Sequence, residues 1–290
     1  MTDALPPRLS DLRKPVLVAA FEGWNDAGES ATGSVEHLEL FWDAQQLYEM
    51  EPDDYYDFQV NRPTIRLVDG VSRRTEWPTT TFAVCSPPGS DHDLLLVRGV
   101  EPNLRWRAFA AEIAEIAEAA GVVSAVMLGS MMADTPHTRP VPVTGSAYSA
   151  EAAKRYRLAE SQYQGPTGIT GVLQDRLTSD GIPSVSLWAS VPHYLSSTPN
   201  PKATLALLRR LEEILDLEIP MDQLPTRADA WERTVDEMTA DDADMAEYIR
   251  ELEATDDATS TDPDALPEID GEQLAADFER YLRRRNPGSD

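Results

Sequence analysis

Cysteine is almost missing from this sequence. Cys85 stands alone among 290 residues, so no internal disulfide framework can form, and no paired Cys/His spacing supplies a zinc site. Cations are scarce as well: 25 lysines and arginines face 51 aspartates and glutamates, for a formal net charge of -26. A surface of that sign lacks the clustered cations that neutralise phosphates, which excludes nucleic acid as an expected partner. No stretch approaches the ~20 apolar residues of a membrane span. Met1 to Ser10, with two prolines and no apolar run, does not read as a signal peptide. The expectation is a cytoplasmic protein without membrane contact.

Complete catalytic signatures are missing too. No G-x-S-x-G nucleophile elbow occurs, and Gly129-Ser130-Met131 resembles one only in placing a serine at a strand end. The glycine-rich stretch Gly165-Pro-Thr-Gly-Ile-Thr-Gly171 has neither the Lys-Ser/Thr of a P-loop nor the spacing of a dinucleotide fingerprint. Cys85 lies in an apolar strand pattern, where a buried inert thiol is the default. The sequence therefore assigns no catalytic residue, no metal ligand and no cofactor.

What remains is a hydrophobic content of 41%, enough for one large core. Pro15-Val-Leu-Val-Ala-Ala-Phe21 reads as a buried strand. The turn Glu22 to Gly28 follows, then a helix to about Asp43 capped by Asn25 or Asp26. A further strand is expected near Gln46 to Met50. Alternation around Asp69-Gly70 predicts a hairpin between Thr64 and Trp77. Strands follow at Thr80 to Cys85 and Asp93 to Val97, then a helix opened by Pro102 and closed by Gly121. Val122 to Leu128 and Pro183 to Val191 read as central strands. Val141 to Val143 suits an edge, with helices at Ser149 to Glu160 and Thr170 to Thr178.

From Pro201 the pattern is wholly helical. The expected fold class is α/β, a mixed, mainly parallel sheet flanked by helices, with an added hairpin and a C-terminal helical extension. Its expected division is an α/β core over 1–200, a helical extension packed on or beside the core over 201–253, a flexible acidic linker over 254–270 and a short amphipathic docking helix over 271–286. Residues 229–279 hold 19 acidic and 2 basic side chains, so most of the negative charge belongs to the extension and linker.

In open α/β sheets ligands collect beyond the carboxyl ends of the strands. The loops expected there offer Asn25, Asp26, His137, Arg139, Thr167 and His193, with Asp134 and Tyr194 beside them. If they converge, two imidazoles, a guanidinium, a carboxylate and a helix N-terminus suit a small anionic or phosphorylated ligand. Each also has an ordinary reading. Asn25 or Asp26 caps a helix, Asp134 bonds its own turn, the histidines are hydrogen-bonded packing residues, and Arg139 anchors an ion pair.

Six segments in order carry a family resemblance: Phe21-Glu-Gly-Trp-Asn-Asp-Ala-Gly28, Asp57-Phe-Gln59, Arg62-Pro63, Pro136-His-Thr-Arg-Pro140, Gly168-Ile-Thr-Gly171 and Val191-Pro-His-Tyr194. They resemble the actinobacterial branch of the PAC2 family from about Pro15 to Leu252. The resemblance implies a fold similar to the purine nucleoside phosphorylase and hydrolase group. It also implies homo-oligomers, a non-enzymatic assembly or interaction role, and proteasome subunits as the protein partner. Archaeal and eukaryotic relatives use a C-terminal hydrophobic-Tyr-any tail. This chain departs from that pattern, since Tyr281 stands nine residues before Asp290.

Overall fold

A computed structural model describes residues 9–68, 70–158, 164–195 and 199–260. In chain order the elements are β1 (Val16–Glu22), α1 (Ser30–Phe41), β2 (Gln45–Glu49), β3 (Thr64–Val68), β4 (Ser72–Glu76), β5 (Thr80–Cys85) and β6 (Leu94–Val100). Then come α2 (Trp106–Ala120), β7 (Ser124–Ala133), β8 (Val143–Ala147), α3 (Ala150–Arg155), α4 (Ile169–Ser179), β9 (Ser184–Pro192), α5 (Pro201–Leu215), α6 (Leu224–Ala240) and α7 (Ala243–Ser260).

Seven strands form one sheet in the order β2-β5-β6-β1-β7-β9-β8, and β3 and β4 form a separate hairpin. Parallel pairing joins β6, β1, β7 and β9, whereas β2, β5 and β8 are added by antiparallel pairing at the flanks. The sheet is mixed as expected, with its parallel part at the centre. There the strands are buried on both sides and read as continuous apolar runs. Strand pleat sorts β1 cleanly. Val16, Val18 and Ala20 face the layer of α1 and α5, and Leu17, Ala19 and Phe21 face that of α2 and α4. At the free edge, β2 carries a bulge between Gln46 and Tyr48.

The structure redraws several boundaries. Helix α5, the first of the expected extension, packs on the core: Ala203, Leu207, Leu208 and Leu211 lie in the core cluster against the sheet, because its leucines recur at helical spacing on one face. The added layer is α6, packed on α5, and α7, packed on α6. Helix α7 continues through 254–260, the start of the expected linker, since alanines and threonines there add no breaker before Pro263. The rest of that linker, the expected docking helix at 271–286 and the tail lie outside the described residues. Helix α2 starts at Trp106, four residues past Pro102, after Arg105 adopts a left-handed conformation. Strand β7 runs on through Gly129 and Ser130 to Ala133, paired with β9 throughout.

Candidate functional site

The carboxyl ends of β1, β6, β7 and β9 bring two polar groups to the same end of the sheet. The inner group centres on Asn25, which is completely buried. Its amide nitrogen donates to Glu101 Oε1 at 2.7 Å, and the same oxygen accepts the backbone N–H of Ile169 at 2.9 Å. Glu101 follows β6 directly, and its carboxylate thus caps the first turn of α4. That is the position where a helix N-terminus would otherwise hold an anion. Gly168 presses against this network so closely that a Cβ there would collide with the Asn25 amide. Thr167, exposed just before it, folds its hydroxyl over Gly171. Asn25 Oδ1 and Thr170 Oγ1 are buried without a hydrogen-bond partner among the described residues.

Asp26 serves α1. Its carboxylate accepts the backbone N–H groups of Ala31 at 2.8 Å and Thr32 at 3.1 Å, and also the Thr32 hydroxyl. Burial pushes this carboxyl above its usual range, although the hydrogen bonds from Thr32 and Ala31 oppose the shift. Ser130 is buried, donating its N–H to the Asn25 carbonyl at 2.8 Å and its hydroxyl to the Ala27 carbonyl at 2.9 Å. It stitches the β1 loop to β7, with both its polar atoms committed to backbone. Cys85 lies on the far flank, and burial pushes its thiol up to about 12. Such a thiol carries little thiolate at neutral pH.

The outer group lies beneath the C-terminal helices. The His137 ring is buried between Tyr194 and Asp236, with Nδ1 at 2.9 Å from the Tyr194 hydroxyl and Nε2 at 3.0 Å from Asp236 Oδ1. That hydroxyl already accepts the His137 backbone N–H at 3.0 Å. The Asp236 carboxylate can only accept, so Nε2 carries a ring proton facing it, and the hydroxyl's own proton is free to point at Nδ1. Burial pushes the Tyr194 phenol up to about 12, so it stays a donor. Arg139 grips α7 with a two-pronged pair to Asp257, both contacts at 2.9 Å, and reaches Glu253 at 3.5 Å; the Thr138 hydroxyl donates to Glu253 as well. The hydrogen bond from Arg139 holds the Asp257 carboxyl below its usual range.

His193 sits half-buried, with Nδ1 3.2 Å from Asp134 Oδ1 at an angle that makes no hydrogen bond. Its ring stands edge-on to Tyr194 and Tyr248. Lys202 adds a bond to the His137 carbonyl at 2.6 Å and pairs with Glu232 of α6.

The six residues named from sequence thus fall into two groups. Asn25 and Asp26, with Thr167 beside them, order the β1 and α4 turns. His137, Arg139 and His193 converge beneath α6 and α7. Their partners Glu101, Asp236, Tyr248, Glu253 and Asp257 escaped the sequence reading. Most lie about a hundred residues away, and the available signal was that Glu101 follows a strand. Among the described residues no three His, Cys, Asp or Glu side chains are grouped to hold a metal ion, and no helix is long and apolar enough to cross a membrane.

The family model described as the PAC2 family matches residues 20–239. A proteasome-assembly chaperone homologue from Mycobacterium tuberculosis is 54% identical, with a TM-score of 0.75 over 81% of this chain and 99% of its own. A PAC2 family protein from Streptomyces avermitilis is 51% identical, with a TM-score of 0.76 and the same coverage. An archaeal proteasome activator from Pyrococcus furiosus, 18% identical over 79% of this chain and 94% of its own, shares the fold at a TM-score of 0.65. No curated protein matches. With most of its length matched by the model and more than half of the aligned residues identical in each of two relatives, this chain belongs to the PAC2 family.

Proposed function

We propose that this protein is a non-enzymatic assembly chaperone or interaction protein of the cytoplasm, acting on proteasome subunits and associating with itself. The observation that carries the reading is the 54% identity to the Mycobacterium tuberculosis proteasome-assembly chaperone homologue, across 99% of that relative's length. The chemistry of the strand ends supports it. Glu101 occupies the α4 N-terminus, Asp26 is spent on α1, and His137 and Arg139 are spent on α6 and α7. The test is reconstitution with purified proteasome α and β subunits of the source organism. The protein is expected to co-elute with unassembled subunits and to accelerate formation of the assembled particle. Failure to co-elute, together with an unchanged assembly rate, overturns the reading.

A second reading, a pocket for a small polar ligand such as a nucleoside or phosphate serving a binding protein, hydrolase or transferase, draws on one observation. Asn25 Oδ1 and Thr170 Oγ1 are buried without hydrogen-bond partners among the described residues, and such atoms are costly unless something bonds them. The Glu101 carboxylate beside them disfavours an anion. Thermal shift with inosine and with inorganic phosphate separates the cases: stabilisation by either supports a pocket, and none by both removes it.

A further inference from the structure

Outside the β3–β4 hairpin, the most exposed large hydrophobic side chain among the described residues is Leu40, near the end of α1. It is 76% exposed and Phe41 beside it 44%, with Trp42 half-buried at the helix terminus. The Phe41 ring is already held in place. It stacks on His37 with ring centres 6.1 Å apart, and His37 Nε2 lies 2.8 Å from the Pro220 carbonyl in the loop between α5 and α6. An apolar patch rimmed by charge is the form a contact surface takes.

The rim of this patch has one sign. Residues 30–50 and 211–226 contain no lysine or arginine. Glu36 and Asp43 are exposed on α1 and just beyond it, and Asp216, Glu218 and Asp222 are exposed in the loop that meets His37. The arginines nearby are taken by Glu39, Glu212 and Glu213, and among the described residues none of the five exposed carboxylates forms an ion pair. What fits here brings apolar side chains and positive charge together.

One segment of this chain has both. Leu274, Phe278, Tyr281 and Leu282 recur at helical spacing, and residues 280–285 hold four arginines and no acidic side chain in a protein of net charge -26. Other bare apolar surfaces suit that segment less well. The hairpin carries Arg62, Arg66, Arg73 and Arg74, which repel it, and Met238 offers a single side chain. The chain is also long enough. Asp257 is held at Arg139, so the end of α7 lies beside the carboxyl ends of the strands. Helix α6 covers the way from there to the α1 terminus, because Asp236 meets His137 and Leu224 follows the loop at His37. At ~1.5 Å per residue that is about 18 Å. Residues 261–273, fully extended, reach about 43 Å.

We propose that residues 274–285 seat on the Leu40–Phe41 patch of their own chain, with the apolar stripe on those two side chains and the arginines among the surrounding carboxylates. The tail then acts as a clasp from α7 back to α1. This clasp is independent of the proteasome and of self-association.

Two measurements on the full chain test it. Cys85 is buried, so L40C with F278C supplies the reactive thiol pair. Mild oxidation is expected to join that pair within one chain at least roughly tenfold faster than V71C with F278C or M238C with F278C, since docking raises the effective concentration of the two thiols. Hydrogen exchange is the second readout. Amides of 274–285 should exchange roughly tenfold faster in L40E and in R283E/R284E/R285E than in the wild type, and at the wild-type rate in V71E. Leu40 and Val71 are both exposed, and circular dichroism checks that each variant folds. Equal oxidation rates for the three cysteine pairs, or a link that joins two chains, overturn the clasp. So does exchange at 274–285 that L40E leaves unchanged.

Discussion

The two polar groups at the strand ends use the same residue types in opposite ways. The inner one, Asn25 with Glu101 and Ile169 and Asp26 with α1, binds buried turns of the core to each other, where water cannot replace a lost partner. The outer one joins basic and aromatic side chains of the core to acidic ones of α6 and α7, much of it open to solvent. The difference teaches that one is part of folding and the other is a fastening. The family model's match ends at residue 239, before α7 begins, so the fastening extends past the residues that model describes.

The largest effect should come from Glu101→Ala, which removes the acceptor of two donors. A loss of about 3 kcal/mol is expected from urea unfolding. Glu101→Gln, which keeps an acceptor, should lose only about 1 kcal/mol; equal losses would refute the capping role. Next, His137→Ala should cost about 2 kcal/mol, since it strips partners from Tyr194 and Asp236 and leaves a small void. If the same change costs as much as Glu101→Ala, the contrast between the two groups fails.

A smaller effect concerns pH and has opposite signs in the two groups. Asp26 has a folded pKa above its unfolded value of about 3.9. The folded state therefore holds that proton longer, and stability relative to Asp26→Asn should rise as pH falls from neutrality through the folded value. Asp257 has a folded pKa below its unfolded value. Its contribution is present above about pH 4 and should fade in more acidic solution, so stability relative to Asp257→Asn falls there. Urea titrations of both variants between neutral and acidic pH check the two slopes. The smallest effect is Arg139→Gln, which should leave the global midpoint in place and speed amide exchange in α7 alone. In the wild type, added salt should do likewise.

Much of the fold was legible because the central strands bury both faces. The runs Val16–Phe21, Val122–Leu128 and Pro183–Val191 could be placed from composition alone, and Asp69-Gly70 placed the hairpin. Less legible was anything decided by pairing. Strand β7 passes through Gly129 and Ser130 because β9 lies alongside it, and α5 joins the core because a sheet face awaits its leucines. The site was half legible: polar residues after strands were the right ones to watch. Their partners were hidden, since nothing local to Asp236 or Glu253 shows that helices far along the chain fold back over His137 and Arg139.

The bulge at Leu47 in β2 has its own consequence. An open sheet edge is a template on which another strand can grow. Here the extra residue breaks the regular spacing of backbone donors and acceptors, and Gln45, Gln46 and Glu49 leave that rim polar. Growth of the main sheet through this rim is thereby disfavoured, although among the described residues the backbone of β2 has no strand on its outer side.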